Sequence, residues 1–502
     1  MFAQYTTVNF HQYLLNTTLH GLKYVGDRTI TRFERIFFTL MFLLVVILSV
    51  VFITNVYRKW DESPIIITLN SETTSITQIP FPAVTICNMN QVRLSAIRDI
   101  PKDSNEFATV KSLCRIGRDQ LMNETFSKGS WALYRNIIKK VSPRCEDMLL
   151  YCAFGGVEHE CSRIFLTILT DDGLCCVFNS QKKNYLMRES IRKNGFVFDG
   201  SEYDVLPNYD YVDDTPIWTA EKGYELEEMK ELPRPGIGSG NELGLSLSLN
   251  ADIDDYYCTA TRSYGFKILL SSPNDLTKVS DYGFAIPTNY ETRIAVKPKQ
   301  FTASPAIRNI AQNIRQCVFE SESNLTLYKY YSDRSCEGEC ESKLLYKHCG
   351  CIMYYQPVHQ PNISICGTAD MKCMEKVDSN IRRQSAGYKC THCLPGCFAL
   401  NYDSTYSTAR IFHQTPFLRA KKIDPADIAI VYIYYPQTMF RTQKMDELVS
   451  FTDFLSNIGG LLGLFMGFSV ISFIEMFYFI SIRPYLQTNY NFDDNHHQRY
   501  LD

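Results

Sequence analysis

The stretch FLSNIGGLLGLFMGFSVISFIEMFYFISI, residues 454–482, carries one charged side chain, Glu475, and is interrupted by glycines. About twenty apolar residues suffice to cross the roughly 30 Å hydrocarbon core as a helix, so this run is longer than one crossing requires. On a helix turning by about 100° per residue, Ser456, Gly460, Gly463 and Gly467 fall at about 0°, 40°, 340° and 20°. Two readings fit this narrow stripe of small residues. Small side chains let helices approach closely in lipid. Along a pore wall they leave room and expose backbone. Ser469 lies at about 220°, off the stripe, on a continuous helix. A break near Gly467-Phe468-Ser469 would bring its backbone into play. Non-helical backbone at membrane depth persists only where protein buries it or water lines it, and carbonyls in such a break are a known means of selecting ions. Glu475 marks either a functional site or a pair with a neighbouring helix near the inner surface.

Upstream, residues 36–56, IFFTLMFLLVVILSVVFITNV, contain no charge. The run is longer than the roughly 7–15 apolar residues of a signal peptide, and no small-residue cleavage site ends it. Two spans put both termini on one side. Lys23, Arg28, Arg32 and Arg35 precede the first run and favour a cytoplasmic N-tail. Arg58 and Lys59 oppose this, but the cysteines decide: all eighteen lie between Cys87 and Cys397, as expected of disulfides in an oxidising compartment. Sequons at Asn123, Asn324 and Asn362 fall in the same segment. The expected organisation is a cytoplasmic N-tail (1–35), a first transmembrane helix (36–56), a cysteine-rich extracellular domain (57–450), a second, pore-lining transmembrane helix (451–482) and a cytoplasmic C-tail (483–502). The protein then sits in the plasma membrane.

Within the extracellular segment, 244–249 and 428–435 have strand character, 101–143 is more helical, and the Pro- and Gly-rich residues 231–240 form a loop. Residues 199–231 hold eleven Asp or Glu against Lys222 and Lys230. They are either a solvated loop or a carboxylate cluster that binds cations or protons. The ten cysteines from Cys317 to Cys397 could be drawn as a zinc site (Cys336, Cys340, Cys390, Cys393) or a redox Cys390-x-x-Cys393 motif. Outside the cell they read better as five staples stiffening a rod. A net charge of −3 gives no nucleic-acid footprint. No His-Glu-x-x-His helix or Gly-x-Ser-x-Gly elbow points to an enzyme.

Several motifs in order carry a resemblance: His20-Gly21, FPAVTICN (81–88), GLCCVFN (173–179), the cysteine ladder, and LSNIGGLLGLFMGFS (455–469). Together they resemble the degenerin/epithelial sodium channel family, most of all its pickpocket branch, from about residue 14 to 480. The resemblance implies a trimeric, acid-sensing-ion-channel-like fold: two transmembrane helices and a disulfide-rich α+β extracellular domain. It implies an amiloride-sensitive subunit that conducts Na+ passively and is gated by a sensory stimulus, with an extracellular ligand among the possible partners. Gly467, Phe468 and Ser469 match the selectivity element, and Ser456 the position where bulky side chains hold such pores open. Gly460 matches a narrow point of the pore and His20-Gly21 the cytoplasmic gating motif. Asn457 and Gly463 complete the pore and gate, Glu475 stands in the inner vestibule, and Asp446, Glu447 and Asp453 draw cations at the outer mouth.

The ladder implies the pairs Cys317–Cys397, Cys336–Cys393, Cys340–Cys390, Cys349–Cys373 and Cys351–Cys366, with Cys87–Cys175 and Cys152–Cys161 nearer the N-terminal side. Cys114, Cys145, Cys176 and Cys258 are left without assigned partners. Asn457 replaces the aspartate of the acid-sensing branch, Phe468 stands where relatives often have a smaller residue, and 483–502 has no Pro-Pro-x-Tyr motif. No cofactor or structural metal is expected, and the partners are the bilayer, Na+ and identical or related subunits. The competing readings are an ATP-gated trimer, which has no reason to carry this ladder, and a non-conducting auxiliary or receptor-like subunit that modulates a related channel.

Overall fold

A computed structural model describes residues 11–62, 64–114, 131–181, 186–188, 218–224, 233–259, 261–357, 363–385, 387–390, 392–412, 424–483 and 485–486. Asn123, Asn362 and most of the acidic run 199–231 lie outside the described residues. The chain divides into two compact units, Met1–Ile66 with Asp446–Asp502, and Ile67–Met445.

The larger unit is built on two sheets. In the first, the strands run in the order Ile65–Ser75, Met439–Glu447, Tyr290–Ala303, Ile428–Tyr434, Leu245–Asn250, Leu149–Phe154, Val157–His159, and Ala399–Arg410 pairs onto Tyr290–Ala303. The second orders Phe284–Ile286, Phe266–Ser271, Ala83–Asn88, Gly173–Phe178 and Phe165–Thr170. Every residue of FPAVTICN is buried, because Ala83–Asn88 is flanked by a strand on each side. Phe81 packs edge-on against Phe154, Phe178 and Tyr435 in the main core. Asn179, which closes GLCCVFN, takes a left-handed backbone (φ +59°). Its amide donates to the carbonyls of Phe81 (2.6 Å) and Arg234 (3.0 Å) and accepts from Arg234 N–H (2.5 Å). One side chain thus ties the two motifs and satisfies backbone groups that burial would otherwise leave costly. Tyr402 and Tyr435 both donate to the carbonyl of Pro80, at 2.8 and 3.0 Å.

The region 101–143 is helical at Asn105–Cys114 and Trp131–Val141. The helices Asp333–Cys349 and Met371–Arg382 carry much of the ladder. Disulfides join Cys317–Cys397, Cys336–Cys393, Cys340–Cys390, Cys349–Cys373, Cys351–Cys366, Cys87–Cys175 and Cys152–Cys161. The four remaining cysteines form Cys114–Cys258 and Cys145–Cys176. The adjacent Cys175 and Cys176 point to opposite faces of their strand. One therefore meets Cys87 on the neighbouring strand and the other Cys145 across the core.

The ladder rules out the metal and redox drawings. Cys390 and Cys393 bond different partners rather than each other. His392 does approach Cys336 and Cys393, but those two sulfurs are joined to each other and offer no thiolate.

In the smaller unit, the first apolar run forms one helix, Arg32–Glu62, long and apolar enough to cross a membrane. It extends beyond 36–56 at both ends, because hydropathy measures the uncharged length while charged residues such as Arg, Lys and Glu continue a helix readily. Thr31 and Glu34 cap its start reciprocally: Thr31 N–H and Oγ1–H donate to Glu34 Oε2 (2.9 and 2.8 Å), and Glu34 N–H donates to Thr31 Oγ1 (3.3 Å). The second apolar run is two helical pieces, Phe451–Met466 and Val470–Ile482, bent by 71° at the break between them.

Candidate functional site: a capped break in the second apolar helix

The upstream piece begins on a capping box. Ser450 Oγ accepts from Asp453 N–H at 3.1 Å and donates to Asp453 Oδ2 at 2.7 Å. The Asp453 carboxylate is thus engaged in starting the helix. Asp446 and Glu447 end the strand Met439–Glu447. Two aromatic contacts set which face of the helix meets Arg32–Glu62. Phe454 stacks on Trp60 (4.8 Å between centroids) and Phe465 on Phe52 (5.6 Å). Phe454 and Phe465 fall at about 160° and 180° on the wheel that puts Ser456 at 0°. The small-residue stripe is therefore on the opposite face. Ser456, Asn457 and Gly460 are exposed in the single chain, and a Cβ added at Gly460 would meet nothing within 4 Å. The stripe is not the packing face toward the first helix.

The break is built by two caps in immediate succession. Gly467 takes φ +66°, the left-handed conformation that ends helices. Its N–H donates to Gly463 O (2.9 Å), and Phe468 N–H reaches back to Leu462 O (3.3 Å). Ser469 then starts the next helix: its Oγ accepts from Ser472 N–H (3.2 Å), and Ser472 Oγ accepts from Ser469 N–H (3.1 Å). Only Phe468 stands between the two caps.

A segment from the other end of the sequence closes on this break. His20 N–H donates to Met466 O at 2.9 Å, supplying a donor to one of the carbonyls that every helix end leaves over. The His20 ring covers Gly467 so closely that an added Cβ would lie 2.7 Å from its Cε1. Gly467 is therefore required twice, for its backbone angle and for the imidazole on its face. Gly21 follows at φ +83°, and a Cβ added there would meet nothing within 4 Å, so its backbone alone calls for glycine. Thr18 bonds Ser472 (2.7 Å) and Glu475 (3.1 Å), and Tyr13 packs on Phe479 with 5.9 Å between centroids. His20, Gly21, Gly467, Ser469 and Glu475 are thus brought together, along with Thr18 and Ser472, which sequence reading does not single out.

In the larger unit a cavity of about 490 Å³ is lined by Tyr134, Lys278, Glu341, Met353, Met374 and Arg382, among others. Lys278 pairs with Glu341 at 2.7 Å. Burial pushes the Glu341 carboxyl above its ordinary range despite the lysine. Asn324 is exposed.

A stapled β-rich domain joined to a long apolar helix, with a second apolar helix broken on glycine and serine, is the plan of an ion-channel subunit. The match to known families is direct: the amiloride-sensitive sodium channel family model covers residues 13–479, and the chain belongs to that family, whose members are ion channels and not enzymes. It is 43% identical to Pickpocket protein 28 of Drosophila melanogaster over 487 residues, 94% of this chain and 78% of that protein. It is 24% identical to Sodium channel protein Nach of the same organism, over 98% of this chain and 90% of that protein. Acid-sensing ion channel 2 of Mus musculus is 23% identical over 80% of this chain and 72% of its own length.

Proposed function

We propose that this chain is one subunit of a trimeric, amiloride-blocked channel that conducts Na+ across the plasma membrane. Both apolar segments span the bilayer, residues 57–450 lie outside, and both termini are cytoplasmic. Three second helices surround a threefold pore. Asp446, Glu447 and Asp453 draw cations to the outer mouth. Ser456, Asn457, Gly460 and Gly463 line the pore and its gate. Gly467, Phe468 and Ser469 form the filter, Glu475 faces the inner vestibule, and His20-Gly21 support gating. A sensory stimulus acts through the extracellular domain, whose cavity beside Lys278–Glu341 has room for a small extracellular ligand.

The observation that carries this reading is the break at Gly467–Ser469, on a helix whose small-residue face is turned away from its own partner helix. Irregular backbone in an otherwise apolar segment finds a use where it lines a water-filled path. The test is to express the chain, alone and with related subunits, and record amiloride-sensitive current. Substituting Ser469 with alanine should shift the Na+/K+ permeability ratio. An unchanged ratio moves the filter elsewhere. No current in any combination, with the chain at the surface, favours the non-conducting auxiliary subunit instead.

A further inference from the structure

Ser472 is fully buried and lies one turn past the break. Its Oγ accepts from Ser469 N–H and stands 3.1 Å from Ser469 Oγ and 2.7 Å from Thr18 Oγ1. Thr18 donates both its N–H (3.3 Å) and its Oγ1–H (3.1 Å) to Glu475 Oε2. A hydroxyl has a single proton to give. Thr18 has given its proton to Glu475, so in the Thr18–Ser472 contact Ser472 must be the donor. Ser472 has then given its own proton, so in the Ser469–Ser472 contact Ser469 must be the donor. The direction of the whole chain follows: Ser469 to Ser472 to Thr18 to Glu475.

This polarity decides what Ser469 presents. Its proton is turned inward to Ser472, and one lone pair accepts from Ser472 N–H. The remaining lone pair belongs to a residue that is exposed in the single chain. A hydroxyl locked in this sense offers a cation an oxygen and not a proton, and hard cations are bound by oxygen donors. A freely rotating serine would point its proton outward part of the time.

We infer that Thr18 is a positioning residue of the ion filter, which orients the Ser469 hydroxyl through Ser472 by anchoring the relay on Glu475. The inference rests on the filter reading above. It gives the segment before the first helix a share in ion selection, although Thr18 and Ser469 are 451 residues apart, from 469 − 18.

The experiment uses the full chain, with the related subunit if one is needed for current, and compares wild type with Thr18→Val, Thr18→Ser, Ser472→Ala and Ser469→Ala. Surface biotinylation normalises each. Removing one hydrogen bond should lower the Na+/K+ permeability ratio by about fivefold in Thr18→Val and Ser472→Ala. Thr18→Ser, which keeps the hydroxyl, should stay within about twofold of wild type. A structural role alone would reduce surface protein and leave the ratio unmoved. Thr18→Val with a wild-type ratio, while Ser469→Ala shifts it, overturns the relay and leaves the filter reading standing. An unmoved ratio in Ser469→Ala, or no wild-type current, overturns the filter reading itself. The contact is tested independently of current by oxidising membranes that carry Thr18→Cys with Ser472→Cys. Recovery of the disulfide-linked peptide by mass spectrometry supports the tie, and its absence with both cysteines detected overturns it.

Discussion

Gly467→Ala strikes the break where two constraints coincide. At φ +66° an alanine costs about 1–2 kcal/mol more than glycine, because its Cβ crowds the backbone in the left-handed region. The same methyl would lie 2.7 Å from Cε1 and 2.8 Å from Nδ1 of His20, well inside van der Waals contact. The ring must move, at a further cost of about 1–3 kcal/mol, and its movement pulls on the His20 N–H bond to Met466 O. The expected total, about 2–5 kcal/mol, is enough to change the local conformation in most molecules. Gly467→Ala should therefore reduce current per surface subunit at least tenfold and shift the permeability ratio. His20→Ala alone removes the ring and keeps the backbone donor, so its effect should be smaller. In the double variant the clash is absent and only the φ cost remains. The two substitutions should then couple by about 1–3 kcal/mol, as neighbours in contact do, and recover part of the current. Reversal potentials in Na+ and K+ gradients, with biotinylation for surface amount, give all four corners of the cycle. Additive effects would refute the claim that His20 and Gly467 touch. A wild-type ratio in Gly467→Ala would refute the role of the break.

Ser456→Phe should raise resting current at normal surface expression, since Ser456 is exposed within its own chain and its bulk would be felt by neighbouring subunits; a silent pore would turn the stripe away from the axis. Asn179→Ala strands the carbonyl of Phe81 and the N–H of Arg234, while the Arg234 carbonyl keeps only its bond from Phe81 N–H. The loss should be about 3 kcal/mol or more, visible as a large drop in melting temperature of the purified full chain, and a drop under about one degree would contradict it. Burial pushes the Asp275 carboxyl up to about 6, against the pull of Arg334 and with the push of Asp333. The folded chain then holds this proton more tightly than the unfolded one. The stabilisation is full below about pH 4 and is lost as pH rises through about 6. It amounts to at most about 3 kcal/mol, reduced by the water that reaches the partly open side chain. Asp275→Asn should flatten the fall in melting temperature between those pH values, and parallel wild-type and variant curves would count against it.

The two apolar runs are legible because the period and length of a hydrophobic segment are local properties. The interruption at Gly467 is legible for the same reason, since glycine before serine is the signature of one helix ending and another beginning. The limits of the first helix are not, because Thr31 and Glu34 cap it in a charged stretch that hydropathy ignores. The pairing of Cys145 with Cys176 depends on which strand face each cysteine occupies, and a list of positions does not contain that. Thr18 and Ser472 are common residues in inconspicuous places. Only the fold back of the N-terminal segment gives them a role, and no periodicity announces a contact across more than four hundred residues. Glu475 shows both sides: its charge within an apolar run singles it out, yet its partner is on neither neighbouring turn.

The contacts of the smaller unit form a closed circuit, and this bears on how the break is held. The upstream half of the broken helix leans on Arg32–Glu62 through Phe454 with Trp60 and Phe465 with Phe52. That long helix holds the N-terminal helical hairpin, formed by residues 11–16 and the short helix Leu22–Gly26, through Tyr24 stacked on Phe38 at 4.5 Å. The hairpin is itself drawn shut where Gly26 meets Leu14, leaving no room for a Cβ. From it, His20 returns to the end of the upstream half, and Thr18 and Tyr13 grip the downstream half. A displacement of the first long helix therefore reaches the break by two routes at once, directly through its aromatic contacts and indirectly through His20. Because packed contacts of this kind shift between discrete arrangements more readily than they stretch, the break and the first helix should change state together.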